Sequence, residues 1–149
     1  MFRGSSSHNL VQKGRLSIPA RFKKVIESNG EPPVLFLSPM DGCIRAYTRS
    51  EWFKIERDLY SLKRRSERMR RFYRFLIGKT AECEIDKQNR IIIPQNLRDY
   101  AEIEKEIILA GVLTHFEIWS QAKWEEQARL LEEDIKLDSF QDEIAELGL

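Results

Sequence analysis

Residues 11–22, VQKGRLSIPARF, set the fold because the chain writes them twice. Residues 86–97 read DKQNRIIIPQNL, and the step of 75 from Arg15 to Arg90 also carries Ile18 onto Ile93, Pro19 onto Pro94 and Phe22 onto Leu97. The likeness continues past the prolines. Phe22, Val25 and Ile26 fall on Leu97, Tyr100 and Ala101, the i, i+3, i+4 pattern of a short amphipathic helix that proline opens at its first position. Each copy then carries an apolar run (Val34–Leu37, Ile107–Ala110), a short turn, a second strand-like run (Cys43–Tyr47, His115–Trp119) and a helix start bearing Trp52 or Trp124. The chain is therefore expected to be a tandem repeat of one β-α-β-β unit, an α+β fold.

Met1–Asn9 is polar and leads into an expected strand at Leu10–Val11. Lys13-Gly14 turns the chain, and Gly14 is the natural residue for a positive φ; Asn89 holds the equivalent place and tolerates that conformation best after glycine. Leu16–Ile18 alternates apolar and polar like a strand edge. Asn29-Gly30-Glu31-Pro32-Pro33 breaks the chain, and Pro39-Met40-Asp41-Gly42 turns Val34–Ser38 back into Cys43–Tyr47 as a hairpin. Ser50 is the expected N-cap of a helix with Trp52, Ile55, Leu59 and Leu62 on one face. Met69, Phe72, Tyr73 and Leu76 form the stripe of a second helix, and the two are expected to make a hairpin joining the halves. In the second copy Trp124, Ala128, Leu131 and Ile135 form a stripe expected to pack on the chain's own body. Ser139 with Asp142 gives a capping-box start for a last turn carrying Phe140, Ile144 and Leu147. The expected organisation is a first repeat at 5–50, a helical hairpin connector at 51–77, a second repeat at 78–121 and a C-terminal helical segment at 122–149.

At 149 residues the chain has the size of one domain, so repeats of roughly 45 residues, too small to bury enough surface singly, must share a core. With 42% hydrophobic and 33% charged residues it reads as a soluble globular chain. No apolar run approaches the roughly 18 residues of a membrane span, and MFRGSSSHNL lacks the apolar stretch of a signal peptide, so a cytoplasmic protein without membrane association is expected. The net charge of +1 hides a strong segregation. Residues 1–24 carry six bases and no acid, residues 63–74 carry seven bases against Glu67, and residues 125–149 carry nine acids and two bases. Such a molecule can bind a polyanion on one surface and keep another surface off it.

A nucleophilic triad needs a base beside a serine or cysteine. The only histidines are His8 and His115, neither in such a setting, and His115, at the start of a strand, is expected to be a surface or turn residue. Cys43 and Cys83 are too few for a disulfide framework, lack the paired spacing of a zinc site and read as buried or half-buried thiols. KGRLSIP has no second glycine at phosphate-loop spacing. These features argue against an enzyme, a metal centre, a cofactor or a small-molecule substrate, and leave the cations. Taken singly, Lys13, Arg15 and Arg21 are ordinary solvated turn residues. Their repetition as Arg90 and Arg98, at or one place beyond the equivalent positions, implies that a pseudo-two-fold fold brings two arginine-bearing loops onto one surface. Arginine on a rigid loop suits both phosphate oxygens and the O6/N7 edge of guanine. The basic run 63–74 fits a solvated helix face as well as a nucleic-acid contact, and its Phe72 and Tyr73 read as core.

The opening MFRG, the block KGRLSIPARF, the D-x-x-x-R from Asp86 to Arg90 and the two tryptophan-bearing hairpin ends resemble the MraZ family, whose repeats belong to the swapped-hairpin AbrB-like superfamily. The resemblance covers nearly the whole chain. It implies two interleaved β-α-β-β swapped-hairpin units forming a pseudo-two-fold small barrel with peripheral helices. It further implies a bacterial transcriptional regulator, associated with the nucleoid, that binds as a ring-shaped homo-oligomer to repeats in the promoter of the division and cell-wall gene cluster. DNA contact in the family is attributed to the D-x-x-x-R loops, which map here onto Val11–Arg15 and Asp86–Arg90. The expected DNA-binding residues are Lys13, Gly14, Arg15, Arg21, Asp86, Arg90 and Arg98. The sequence departs from the family at Val11, which replaces the aspartate of the first loop, and at Asn89, which replaces glycine; the first loop is therefore expected to be the more mobile. The rival reading is a protein-interaction module that sequesters a partner, as antitoxins of this fold do. The acidic, apolar-striped tail Trp124–Leu147 motivates it, and the doubled unit counts against it.

Overall fold

The repeated motif folds alike in both copies. In the first, β1 (Ser5–Asn9) leads through a 3-10 turn (Gln12–Gly14) into β2 (Arg15–Ser17) and α1 (Ala20–Ser28), followed by the hairpin β3 (Val34–Met40) and β4 (Cys43–Tyr47) and by the helices α2 (Arg49–Tyr60) and α3 (Glu67–Lys79). The second runs β5 (Ala81–Glu84), β6 (Arg90–Ile92), α4 (Gln95–Tyr100), β7 (Glu106–Gly111), β8 (Phe116–Ser120), α5 (Gln121–Asp134) and α6 (Asp138–Glu146). The structure is a computed structural model that describes every residue from Met1 to Leu149. The first strand lies earlier than the expected Leu10–Val11. Its polar residues Ser5–Asn9 pair with β7 at the edge of the sheet, where one face needs no apolar cover, and Val11 instead closes the next turn by a bridge to Arg15.

The pairings interleave the repeats. A six-stranded sheet has the order β1-β7-β8-β4-β3-β5, and β2 and β6 form a separate two-stranded ribbon; every pairing is antiparallel. Each repeat's first strand thus joins the hairpin of the other repeat, β1 on β7 and β5 on β3. Two cross-strand pairs join equivalent positions and so mark the pseudo-two-fold axis. In the ribbon Leu16 faces Ile91, at the offset of 75; in the sheet Arg45 faces Glu117, at an offset of 72. The three-residue difference lies in the helices between them, since α1 spans nine residues and α4 six.

Strand alternation sorts side chains to the two faces of the sheet. On one face Leu35, Leu37, Ile44, Phe116 and Ile118 meet Leu16 and Ile91 of the ribbon, Phe22 of α1 and Leu97 of α4 in the main core. Phe22 stacks on Phe116 with ring centres 4.6 Å apart. On the opposite face Phe36 and Tyr47 pack with Trp52 of α2 and Leu76 of α3, and beside them Cys43, Ile108 and Trp119 pack with Trp124 of α5. The ribbon and the helices α2, α3 and α5 therefore lie on opposite sides of the sheet.

Several helix ends and surfaces differ from the sequence expectation. Thr48, not Ser50, caps α2 by accepting from Glu51 N at 3.5 Å, and its equivalent Ser120 caps α5 by accepting from Lys123 N at 3.1 Å. Thr48 directly follows β4 and Ser120 ends β8, so the end of the strand sets the helix start. Leu137 occupies the N-cap place of α6 with no side-chain cap, which puts Ser139 inside the helix and leaves the expected capping box unformed. His115, expected at the surface, is buried, with its ring 4.9 Å from that of Tyr47. The expected packing of the tail stripe is limited to Trp124. Residues 125–139 are all exposed, because α5 leaves the sheet after its first turn.

Leu16 and Ile91 are shut off from solvent, at 0% and 1% exposure, in strands of three residues each. Such short strands hold only through what they bury. Leu16→Ala or Ile91→Ala is expected to lower the unfolding free energy by about 2–5 kcal/mol, read as a shift of the urea midpoint at constant slope. A loss below about 1 kcal/mol for both would mean that the ribbon is a passive attachment and not part of the core.

Candidate nucleic-acid interface

The same pairing that buries Leu16 and Ile91 turns their neighbours outward. In the ribbon Arg15 faces Ile92 and Ser17 faces Arg90, so Arg15, Ser17, Arg90 and Ile92 share the outer face. Arg15 and Arg90 are diagonal neighbours, a relation that sets Cα atoms roughly 7–8 Å apart. Both are half-buried.

The loops that precede these arginines close alike and brace each other. Val11 N donates to Arg15 O at 3.1 Å, and Asp86 N donates to Arg90 O at 2.9 Å. Gly14 (φ 74°) and Asn89 (φ 62°) both take the left-handed conformation at the loop apex. Each apex carbonyl then accepts from the other repeat: Ile93 N donates to Gly14 O at 2.9 Å and Ile18 N to Asn89 O at 2.8 Å. A Cβ at Gly14 would stand 2.6 Å from Arg98 Nε and 2.8 Å from the Ile93 carbonyl oxygen, so glycine is required on both conformational and steric grounds.

The side chains around the two apices separate into exposed cations and internal braces. Lys13 is exposed beside Arg15. Arg98 lies over Gly14 and donates from Nε to the Ile93 carbonyl at 3.0 Å. Its equivalent is Lys23, which donates to Asn89 Oδ1. The offset of 75 holds throughout the motif, so Arg21 stands opposite Asn96, and the expectation that Arg98 repeats Arg21 is corrected. Arg21 has different work: its Nη2 donates to Ser6 Oγ at 2.8 Å, its Nε to the Arg3 carbonyl at 3.3 Å, and its guanidinium covers the Phe22 ring at 4.3 Å. It ties β1 to α1. Sequence reasoning passed over Lys23, which the offset alone would have found.

The loops differ in what sets their shape. In the second, Asp86 Oδ1 accepts from Gln88 N at 2.8 Å and Arg90 N at 3.0 Å, and Oδ2 accepts from Arg90 Nε at 3.3 Å. These bonds, the Arg90 amide foremost, hold the carboxyl below the usual aspartate range. In the first, Val11 is exposed and offers no acceptor, and Lys13 takes a positive φ of 63° immediately before Gly14. Two consecutive left-handed residues there do what a carboxylate and one left-handed residue do in the second loop.

No group of three His, Cys, Asp or Glu side chains is placed to hold a metal ion. Cys43 and Cys83 are both free and buried, and burial pushes the Cys83 thiol up to about 11 and that of Cys43 higher still, so neither is poised as a thiolate. No helix is long and apolar enough to cross a membrane.

Fold and site together define a class: a tandem-repeat α+β protein whose interleaved copies present matched arginine-bearing loops on one ribbon. The family model described as "MraZ protein, putative antitoxin-like" matches the chain twice, over residues 1–75 and 76–146. The proteins named transcriptional regulator MraZ from Desulfosudis oleivorans, Desulforapulum autotrophicum and Acetivibrio thermocellus are 48%, 47% and 40% identical to it, in each case over the whole of both chains. The chain belongs to the MraZ family.

Two expectations follow from the loop chemistry. Amides of Lys13–Leu16 should exchange with solvent faster than those of Gln88–Ile91, and Val11→Asp should slow the first set; equal or greater protection in the wild-type first loop would show that backbone bracing alone sets its order. Because the Asp86 carboxyl is lowered in the folded state, its stabilisation is present above the unfolded value of about 3.9 and is lost as pH falls through the folded pKa. Asp86→Asn should accordingly give a shallower acid limb in stability against pH than the wild type, and an unchanged limb would leave Asp86 without that role.

Proposed function

We propose that the chain is a transcriptional regulator that binds double-stranded DNA through the outer face of the β2–β6 ribbon. Relatives identical at 38–48% carry the name transcriptional regulator MraZ, and the juxtaposition of Arg15 and Arg90 on one outward face is the observation that carries the DNA assignment. Lys13, Arg15 and Arg90 reach the duplex in this reading. Gly14 and Asp86 give the loops their shape, Arg98 braces the first loop over Gly14, and Arg21 ties β1 to α1. Strands and ribbon together make up the small swapped-hairpin barrel, with the repeats at 5–50 and 78–121, the hairpin at 51–77 and the tail at 122–149.

Two small loops per protomer make few phosphate contacts, each individually weak and screened by salt, so useful affinity needs several protomers on repeated sites. A ring-shaped homo-oligomer on promoter repeats of the division and cell-wall gene cluster, working at the nucleoid in the cytoplasm, meets that need. An electrophoretic mobility shift with a fragment from upstream of the chain's own gene tests the reading. Arg15→Ala and Arg90→Ala should each weaken specific binding by about 1–3 kcal/mol if they read a base, or weaken all sequences alike and flatten the salt dependence if they meet phosphate. Unchanged affinity and unchanged salt slope in both variants would remove the ribbon from DNA recognition.

A further inference from the structure

The outer face of the ribbon is symmetric in its arginines and not in what stands beside them. At the offset of 75, Arg15 falls on Arg90 but Ser17 falls on Ile92. Three of the four outward residues are polar, and Ile92 is left 54% exposed among them. A single exposed isoleucine is ordinary on a protein surface; its place between two arginines gives this one meaning. Strand propensity does not require it, since threonine is β-branched too and would turn a hydroxyl to water. An alkyl group held on a face that meets a ligand is a contact for something apolar on that ligand.

The surroundings of Ile92 restrict what can reach it. It lines an open groove of about 440 Å³ beside β5, together with Glu82, Glu84, Asp86 and Arg90. In the first repeat Ser7 and Asn9, both exposed and uncharged, stand at the places of Glu82 and Glu84. The charge of the two halves differs accordingly. Residues 1–24 carry six bases and no acid, whereas the equivalent residues 76–99 carry four bases and four acids. Phosphate is drawn to the first half and repelled by the carboxylates that share the groove with Ile92. What meets Ile92 is therefore the uncharged edge of a base and not the backbone. The major groove admits a two-stranded ribbon, and the one alkyl group that base edges display there is the C5-methyl of thymine.

We propose that Ile92 reads a thymine methyl in the major groove and so sets base specificity on the second half of the ribbon, while the cations of the first half grip phosphate. Ile92 faces Arg15 across the ribbon, a pairing that sets Cβ atoms roughly 4.5–5.5 Å apart. At about 3.4 Å per base pair, the thymine stands one or two pairs from the position Arg15 addresses. Ser17, at the equivalent place, has no methyl group, so only one half of the pseudo-symmetric face has this preference. The inference rests on the ribbon being the DNA-binding face and adds the base it distinguishes.

Mobility shifts of the full chain test it, on the fragment from upstream of its own gene made once with thymine and once with uracil, which lacks only the methyl. The wild type should bind the uracil fragment about fourfold less tightly for each repeat occupied, the ratio that one buried methyl group gives. Ile92→Ser, which copies the residue of the first repeat, should bind both fragments alike. Ile92→Leu, which keeps an alkyl group, should keep the discrimination. The comparison is made within each variant, so a general loss of affinity or stability cancels in the ratio. Equal binding of the two fragments by the wild type, or undiminished discrimination in Ile92→Ser, overturns the proposal. Failure of the underlying reading shows elsewhere: wild-type affinity and salt slope in both Arg15→Ala and Arg90→Ala remove the ribbon from DNA, whereas weakened binding in those variants with no response to the methyl removes only the role of Ile92.

Discussion

Leu16 against Ile91 is the contact on which the rest of the structure depends. A pair of three-residue strands has no independent stability in water, and here it exists because its inner face is driven into the core between α1 and α4. Once those two side chains are inside, alternation leaves no choice for their neighbours: Arg15 and Arg90 must point out, on the same face and one diagonal apart. A slip of one residue in the register would bury the arginines and expose the core pair, at a cost of several kcal/mol, so the position of the cations is fixed by the burial of the hydrophobes. The apex bonds, Ile93 to Gly14 and Ile18 to Asn89, then lock each loop to the opposite repeat, and neither loop can take its shape in a repeat by itself.

The axis emerges on the far side of the sheet through a different pair. Arg45 and Glu117 are equivalent residues facing each other across β4 and β8, with Nε 3.5 Å from Oε2. Two identical copies would be obliged to place like charges at this point; a single chain carrying both repeats can place opposite ones. Burial raises the Glu117 carboxyl, but His115, Trp119 and Arg45 around it lower it further than burial raises it, so the pair stays ionised. Arg45 Nε and His115 Nε2 are nonetheless shielded without a hydrogen-bond partner. A pair with unsatisfied atoms is a weak source of stability and a good determinant of register, which makes the axis apolar and strong at one end, polar and selective at the other.

The repeat was legible in the sequence because it rests on local patterns that survive divergence: the proline-opened helix, the left-handed apex at Gly14 and Asn89, and the paired runs of the hairpins. The apex residues and Arg15, Asp86 and Arg90 follow from the same alignment. What was not legible depends on pairing at long range. β1 is polar, and only its place on β7 makes it a strand; His115 looks like a turn residue, and only β4 and Tyr47 bury it. Arg21 and Arg98 read alike as free cations on the short helices of the two repeats, and their separate anchors, Ser6 with the Arg3 carbonyl for one and the Ile93 carbonyl for the other, are set by the tertiary fold. The stripe of α5 was read correctly as apolar, but periodicity gives the existence of a face and not what covers it.

The two loop apices show why equivalent positions need not hold equal residues. Over Gly14 lies the guanidinium of Arg98, so close that a Cβ would meet Nε at 2.6 Å; over Asn89 stands Lys23, whose single ammonium reaches the amide oxygen. The bulk sits on the helix in one repeat and on the loop in the other. A planar guanidinium needs a bare backbone beneath it, while an ammonium on a flexible stem needs an acceptor. Each helix residue is therefore matched to the apex it covers. Asparagine at position 14 would collide with Arg98, and glycine at 89 would leave Lys23 without its side-chain partner on the loop. Because the apex carbonyls also carry the cross-repeat bonds to Ile18 and Ile93, a mismatch at either apex would reach the core pair at the axis. Each loop is thus braced by its neighbours, and the two differ both at the apex, Gly14 under Arg98 against Asn89 beside Lys23, and on the exposed side, Val11 against Asp86.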